Sequence, residues 1–267
     1  MKNPEIKAHY IDEELLQPTD PIAVILIGAG GTGSQVLTAL ARMNHALTAL
    51  GHAGLQLTLW DDDTVAQANL GRQLFAPSEV GLYKAQALIA RCNRFFGTHW
   101  KAVTKKFGRD TGGNLPIHSR ATLYISCVDS AAARFGIAEI LTALSGKTHY
   151  RNAPKYWMDF GNSRASGQVI LSTIGTIKQP CSKAFTTVDS LPFVTSEFGE
   201  LLNRSEQQDD TPSCSLAEAL EKQDLFINST LAQMGCALLW NLLKDGQLLH
   251  RGIFLNLEGF RSQPLPL

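Results

Sequence analysis

The sequence is most informative first through what it lacks. It contains no C-x-x-C pair, and its five cysteines, Cys92, Cys127, Cys181, Cys214 and Cys236, are widely spaced and odd in number. That pattern speaks against a disulfide framework and against a structural zinc of the paired-cysteine type, and for a reduced, cytoplasmic protein. The first sixteen residues, MKNPEIKAHYIDEELL, hold no apolar h-region, so they do not read as a signal peptide. No apolar run approaches the roughly 20 residues that a membrane span requires. Net charge is absent too: 24 Lys and Arg balance 24 Asp and Glu. A balanced chain gives no general argument for nucleic-acid or membrane partners. The seven histidines show no metal-ligand spacing.

What is present is the makings of a globular α/β chain. The 267 residues, 44% of them hydrophobic, suffice for a sizeable core. Residues 1–21 are polar and end in Gln17-Pro18-Thr19-Asp20-Pro21, which reads as an arm outside the sheet. Ile22–Ile27 is a continuous apolar run, the pattern of a parallel strand buried on both faces. A helical pattern follows from Thr32 to about Leu50, then a strand over Leu55–Trp60 and a polar connection over Asp61–Pro77. Ser78 is a candidate cap for a helix ending at Phe96. Strands are expected near Trp100–Lys106 and at Thr122–Cys127, with a helix over Ala131–Ala143 between the latter and a strand pair, Trp157–Gly161 and Gly167–Ser172. Residues 177–211 lack periodicity, Leu216–Leu243 is mostly helical, and Ile253–Leu257 is a late strand. Strands alternating with helices predict a Rossmann-like, doubly wound, mostly parallel sheet with a C-terminal, partly antiparallel extension. We read one domain over 22–267, with a nucleotide-binding half (22–150) and a partner- or dimer-forming half (151–267).

In such sheets ligands bind outside the C-terminal strand ends, so the polar residues there matter most. The stretch GAGGTGS places Gly28, Gly30, Gly31 and Gly33 between the first strand and its helix. Gly28 permits the turn, Gly30 lets backbone approach a phosphate, and Gly33 lets helix pack on strand. The helix N-terminus then faces the phosphate with free N–H groups. By itself this loop serves a dinucleotide for hydride transfer as well as it serves ATP, and a NAD(P)-dependent oxidoreductase is one reading. The second strand ends at Asp61, placed to accept from ribose hydroxyls, and Asp63, Asn69, Arg72 and Gln73 follow within one connection. A dinucleotide enzyme has no clear use for that Asn and Arg, whereas a triphosphate does, because a guanidinium is a planar fork of donors for phosphate oxygens. Lys84 falls in the first turn of a helix, where a cation opposes the dipole; a tertiary partner such as an α-phosphate would explain it. Asp129, at the end of an apolar strand, can hold Mg²⁺ between phosphates or cap the next helix, and Ser130 could cap as well.

Taken in order, GAGGTGS, D-x-D-T-V-x(3)-N-L-x-R-Q, V-G-x-x-K and C-x-D-S-x(3)-R resemble the ThiF/MoeB/HesA family, which shares its fold with ubiquitin-activating enzymes. The likeness covers residues 22–175 and 212–257, and among subgroups it looks most like the ThiF-type proteins of the bacterial PRTRC gene system. The resemblance implies an adenylyltransferase that uses ATP and Mg²⁺ to activate the C-terminal Gly carboxylate of a small ubiquitin-like protein, releasing pyrophosphate. Carried over by position, Gly28, Gly30 and Gly33 line the phosphates, Asp61 holds the ribose, Asn69, Arg72 and Lys84 meet the phosphates, and Asp129 binds Mg²⁺. No general base is required, since the nucleophile is already a carboxylate. The family's pairing habit implies a homodimer, and 177–211 is where a crossover segment over the partner's tail would lie.

The chain also departs from the family. Cys181 stands alone where a C-x-x-C pair is usual, so a tetrathiolate zinc is not expected. The arm contains no Arg to serve a partner subunit's ATP site, which keeps a non-catalytic, ATP-binding scaffold among the readings. Ser130 replaces the usual Asn. Cys214, in TPSCS, falls near a cysteine that some relatives use for a thioester or persulfide, with Cys181 the alternative. Cys92, Cys127 and Cys236 read as packing residues.

Overall fold

The computed structural model describes residues 6–109, 114–115, 117–145, 152–205 and 223–267. Its centre is an eight-stranded sheet. The apolar runs form β2 (Ile22–Ile27), β3 (Leu55–Trp60), β5 (Leu123–Ser126) and β6 (Tyr156–Asn162), which lie parallel with the short β4 (Lys101–Val103) at one edge. The order across the sheet runs β4, β3, β2, β5, β6, then β7 (Ser166–Thr173), β10 (His250–Asn256) and β11 (Arg261–Pro266). From β6 onward each neighbour is antiparallel. The expected doubly wound sheet with an antiparallel extension is therefore what the chain forms.

β2 lies between β3 and β5, so the chain goes one way from β2 and returns to its other side. That reversal is the topological switch point at which a cleft opens above the strand ends. Helices α1 (Gly31–Ala49), α2 (Lys84–Phe96) and α3 (Ala131–Leu144) return the chain between parallel strands, and α6 (Ile227–Asp245) packs against α1. Two apolar layers hold the helices on. One is built around Leu26, Leu40, Leu57 and Leu239, the other around Ile25, Tyr124, Leu141 and Trp157, all fully buried.

Several expectations need correction. Within the arm, outside the main sheet, Lys7–Tyr10 forms a strand that the sequence did not suggest, β1, paired parallel with β8 (Thr186–Thr187) and antiparallel with β9 (Gln247–Leu248) in a separate small sheet. His9, fully buried, bridges this sheet to the main one through Val188 O (2.7 Å) and the Tyr156 hydroxyl (2.9 Å). Ser78 does not cap α2. It lies in a 3-10 turn, Pro77–Glu79, closed by the Glu79 carboxylate accepting from Ala76 N, and α2 starts at Lys84 with no side-chain cap. The region 177–211 is partly regular, with β8 and the short helices α4 (Val194–Glu197) and α5 (Gly199–Ser205). The tail forms the edge strand β11 although it contains Pro264 and Pro266, which an edge tolerates because its outward N–H groups pair with nothing. The segment 206–222 lies outside the described residues.

Candidate functional site

A cavity of about 430 Å³ opens above the switch point. Its floor is the glycine loop. Gly28 sits at φ +95°, where any side chain is strained, and a Cβ there would lie 2.6 Å from Cys127 O. Gly33 lets α1 lie directly on the loop, since a Cβ there would come within 1.9 Å of Gly28 O. Helix α1 then begins at the cavity with no side-chain cap, leaving its first N–H groups aimed into it.

Each successive strand end delivers polar groups. Asp61, after β3, turns back on the glycine loop: its Oδ2 accepts from Ala29 N at 2.6 Å and its Oδ1 from Asp63 N at 3.0 Å. Burial raises its pKa, opposed by the Ala29 amide and the Lys84 charge. Each oxygen keeps a lone pair for a further donor. Lys84, buried at the start of α2, donates to Asp63 Oδ2 at 2.7 Å, a tertiary carboxylate partner for a cation in the first turn of a helix. Arg72 and Gln73 enter from the connection. Arg72 Nη1 donates to Gln223 Oε1 at 2.5 Å, while Arg72 Nε and Gln73 Oε1 are buried without a hydrogen-bond partner among the described residues. Burial lowers the Arg72 pKa.

Asp129 follows β5, exposed on the cavity wall. Helix α3 is capped by its neighbour Ser130, whose Oγ accepts from Ala133 N, so the capping alternative for Asp129 gives way to Ser130. Arg134, one turn into α3, is buried and donates to the carbonyls of Val128 (2.6 Å), Ser130 (3.3 Å) and Phe160 (2.9 Å). Its Nε meets both oxygens of Asp159, at 3.2 and 3.0 Å, and Asp159 also accepts from Ser126 Oγ.

Of the residues singled out in the sequence, Gly28, Gly30, Gly31, Asp61, Asp63, Arg72, Gln73, Lys84 and Asp129 share this cavity. Asn69 is not on its wall; the Asn69 carboxamide closes its own 3-10 turn by accepting from Ala66 N at 2.8 Å. Gly33 acts beneath the loop. Cys214 lies outside the described residues. Cys181 is exposed and away from this wall. Burial pushes the thiol of Cys236 up to about 12, as suits a packing residue; it raises that of Cys127 as well, although Cys127 is only half-buried and lines the cavity. Sequence reading passed over Gln223, Asn228 and Asn162, which close the cavity from the C-terminal half. It also passed over Trp60 and Phe107, whose rings meet edge to face at 5.5 Å and give one wall an apolar character. No motif marks the amides; only the fold brings them here.

A second groove, of about 340 Å³, adjoins the first and shares Asp129 and Asn162 with it. Phe198, Leu202, Phe254 and Ile170 give it apolar walls, and Gly161 and Gly167 also line it. Among the described residues no group of three or more His, Cys, Asp or Glu could hold a metal ion, and no helix is long and apolar enough to cross a membrane.

Known proteins resemble this chain as follows. Residues 3–249 match the model of the ThiF family. A protein of Rattus norvegicus named ubiquitin-like modifier-activating enzyme 5 is 28% identical over 166 residues, 57% of this chain and 37% of that protein. Its namesake from Aedes aegypti is 29% identical over 135 residues, 46% of this chain and 32% of the relative. The chain thus spans about a third of the length of these curated relatives. Among solved structures, E. coli MccB with MccA superposes with a TM-score of 0.60 at 14% identity, over 95% of this chain and 65% of that one. MccB with ATP gives 0.57 at 13% identity, with the same 95% and 65%. PaaA gives 0.57 at 16%, also over 95% and 65%. At such identities the likeness is one of fold.

Proposed function

The chain belongs to the ThiF family, and from that premise we propose that it is an ATP- and Mg²⁺-dependent adenylyltransferase acting on the C-terminal carboxylate of a small ubiquitin-like protein. The observation that carries the reading is the convergence of Arg72, Lys84, an uncapped helix N-terminus and Asp129 on one cavity. Hydride transfer needs no such cations. The relatives named as ubiquitin-like modifier-activating enzymes, and the fold neighbour solved with ATP, agree with it.

The donor set suits a triphosphate. Arg72 Nε, buried and unpaired, is a donor awaiting an acceptor, and α1 offers free N–H groups to the same space. The cavity wall carries three cationic side chains (Arg72, Lys84, Lys106) and four carboxylates (Asp61, Asp62, Asp63, Asp129). A triphosphate added to that excess of carboxylate calls for a divalent cation. Mg²⁺ is ordinarily held by one or two carboxylates together with substrate phosphates, so Asp129 with ATP suits it although no all-protein cluster exists among the described residues. Bound there, it would neutralise charge developing on the phosphate oxygens.

In the reaction, the partner's terminal carboxylate oxygen attacks the α-phosphorus of ATP. A carboxyl-oxygen-to-phosphorus bond forms, the bond from that phosphorus to the β-bridging oxygen breaks, and pyrophosphate leaves with the electron pair. The residues supply position and fixed charge: Arg72 and Lys84 receive charge moving onto the leaving group, and Asp61 orients the ribose. The apolar groove that reaches Asp129, with two glycines in its lining, suits an extended Gly tail. Action as a homodimer, a cytoplasmic setting and kinship with the PRTRC-associated proteins complete the proposal. The testing experiment is ATP–pyrophosphate exchange with candidate ubiquitin-like proteins ending in Gly-Gly. Exchange that requires both the partner and Asp129 supports it. ATP binding without exchange for any partner supports the scaffold reading instead, and tight NAD binding supports the oxidoreductase.

A further inference from the structure

Two cations of the cavity, the half-buried Arg72 and the buried Lys84, are held in different ways. Lys84 is held by a carboxylate, Asp63. Arg72 is held by the neutral amide of Gln223, which stands just before α6 at the far end of the sequence. That amide oxygen accepts twice, from Arg72 Nη1 at 2.5 Å and from Asn228 Nδ2 at 2.9 Å. Asn228 is fixed in turn: its Oδ1 accepts from Thr32 Oγ1 at 2.8 Å and from Asn162 Nδ2 at 3.3 Å. It also lies so close over Gly31 that a Cβ there would be 2.6 Å from its nitrogen. A continuous chain of hydrogen bonds thus runs from the start of α1, through Asn228 and Gln223, to the guanidinium. Its far end is open, because Arg72 Nε is buried and unpaired at the same cavity.

We propose that Gln223 is a positioning residue: its amide oxygen, braced by Asn228, aims Arg72 at an incoming phosphate while leaving the guanidinium charge unneutralised. This rests on the reading of the cavity as an ATP site. A neutral acceptor suits the task because the amide offers one uncharged oxygen, whereas a phosphate adds its own negative charge and can meet the guanidinium fork with two oxygens, so the ligand displaces the amide readily. A carboxylate in the same place would hold Arg72 as a fixed ion pair and oppose phosphate binding. The choice of Gln over Glu is therefore functional, and it links α6 to the phosphate site.

The test compares ATP·Mg²⁺ and inorganic pyrophosphate binding to the full chain by calorimetry, for wild type, Q223A, Q223E, R72A and R72A/Q223E, each checked for folding by circular dichroism. Expected is a few-fold loss in Q223A, as the guanidinium loses its aim, and a loss of at least about tenfold in Q223E, since every 1.4 kcal/mol of competing ion pairing is tenfold. The Glu penalty should vanish in the R72A background. In exchange assays Q223E should raise the KM for ATP with kcat nearly unchanged. Equal losses in Q223A and Q223E, or a Glu penalty that persists without Arg72, overturn the proposal. Wild type binding pyrophosphate but not ATP overturns only the ATP reading, and the variants are then judged with pyrophosphate. Binding of neither overturns both.

Discussion

Arg134 brackets Asp129: its guanidinium donates to the carbonyl of Val128 on one side and of Ser130 on the other, while its Nε is held by Asp159. The backbone on either side of this cavity-lining carboxylate is thus fixed by one buried cation. Both members of the Arg134–Asp159 pair are almost wholly buried, at 5% and 1% side-chain exposure. Removing one partner leaves an uncompensated charge, so R134A should destabilise the fold by about 3–5 kcal/mol, as should D159A. Urea unfolding measures both, and a loss below 1 kcal/mol would contradict the bracket's structural weight.

Replacing Lys84 tests charge without disturbing packing. Methionine fills a similar volume, and the Asp63 left behind is 65% exposed and can hydrate. K84M should keep its urea midpoint while partner-dependent pyrophosphate exchange falls by about 10²–10³, the usual consequence of losing one fixed charge-stabilising group. A variant with unchanged exchange would remove Lys84 from the phosphate site.

Asp129 is exposed, so D129N should fold as wild type does. Its exchange rate should drop about 100-fold or more, as befits loss of a group worth several kcal/mol in holding a catalytic cation. Raising Mg²⁺ should restore part of the rate in D129N. Indifference to Mg²⁺ in both proteins would argue for a metal-free reaction.

Acid should loosen the small sheet. Burial lowers the pKa of His9 below its ordinary 6.5, so the folded protein keeps this ring neutral while an unfolded chain protonates it first. The unfolded state then binds more protons, and stability falls as pH drops from 6.5 toward the lowered folded value, by at most about 1.4 kcal/mol per pH unit. H9Q, which retains polar contacts without titrating, should flatten this part of the pH profile in urea unfolding. An identical slope in both proteins would assign it to other groups.

The parallel half of the fold was legible residue by residue. Ile22–Ile27 and Leu55–Trp60 begin and end where the sequence suggested, because strands buried on both faces must be apolar throughout. The outer strands were not: β11 is exposed along most of its length and β1 pairs with two short, distant segments, so neither needs a hydrophobic signature. The glycine loop, Asp61 and Arg72 announced themselves through spacing from a strand. Asn69 stands off the cavity wall because its oxygen closes a local turn, while its amide N–H groups, the ones a phosphate would need, are not engaged in that turn. Gln223 and Asn228 were silent, since the contact from Thr32 to Asn228 bridges 196 residues and depends wholly on how α6 docks.

The small sheet sets a timetable. His9 bonds to Val188, 179 residues further along, and β9 comes later still. At synthesis rates of about 5–20 residues per second, the first strand is made on the order of ten to forty seconds before its partners. Through that interval β2, α1 and β3 can assemble with local partners while β1 remains without one. β1 is thus made well before β8 and β9, and its pairing in the small sheet waits on both.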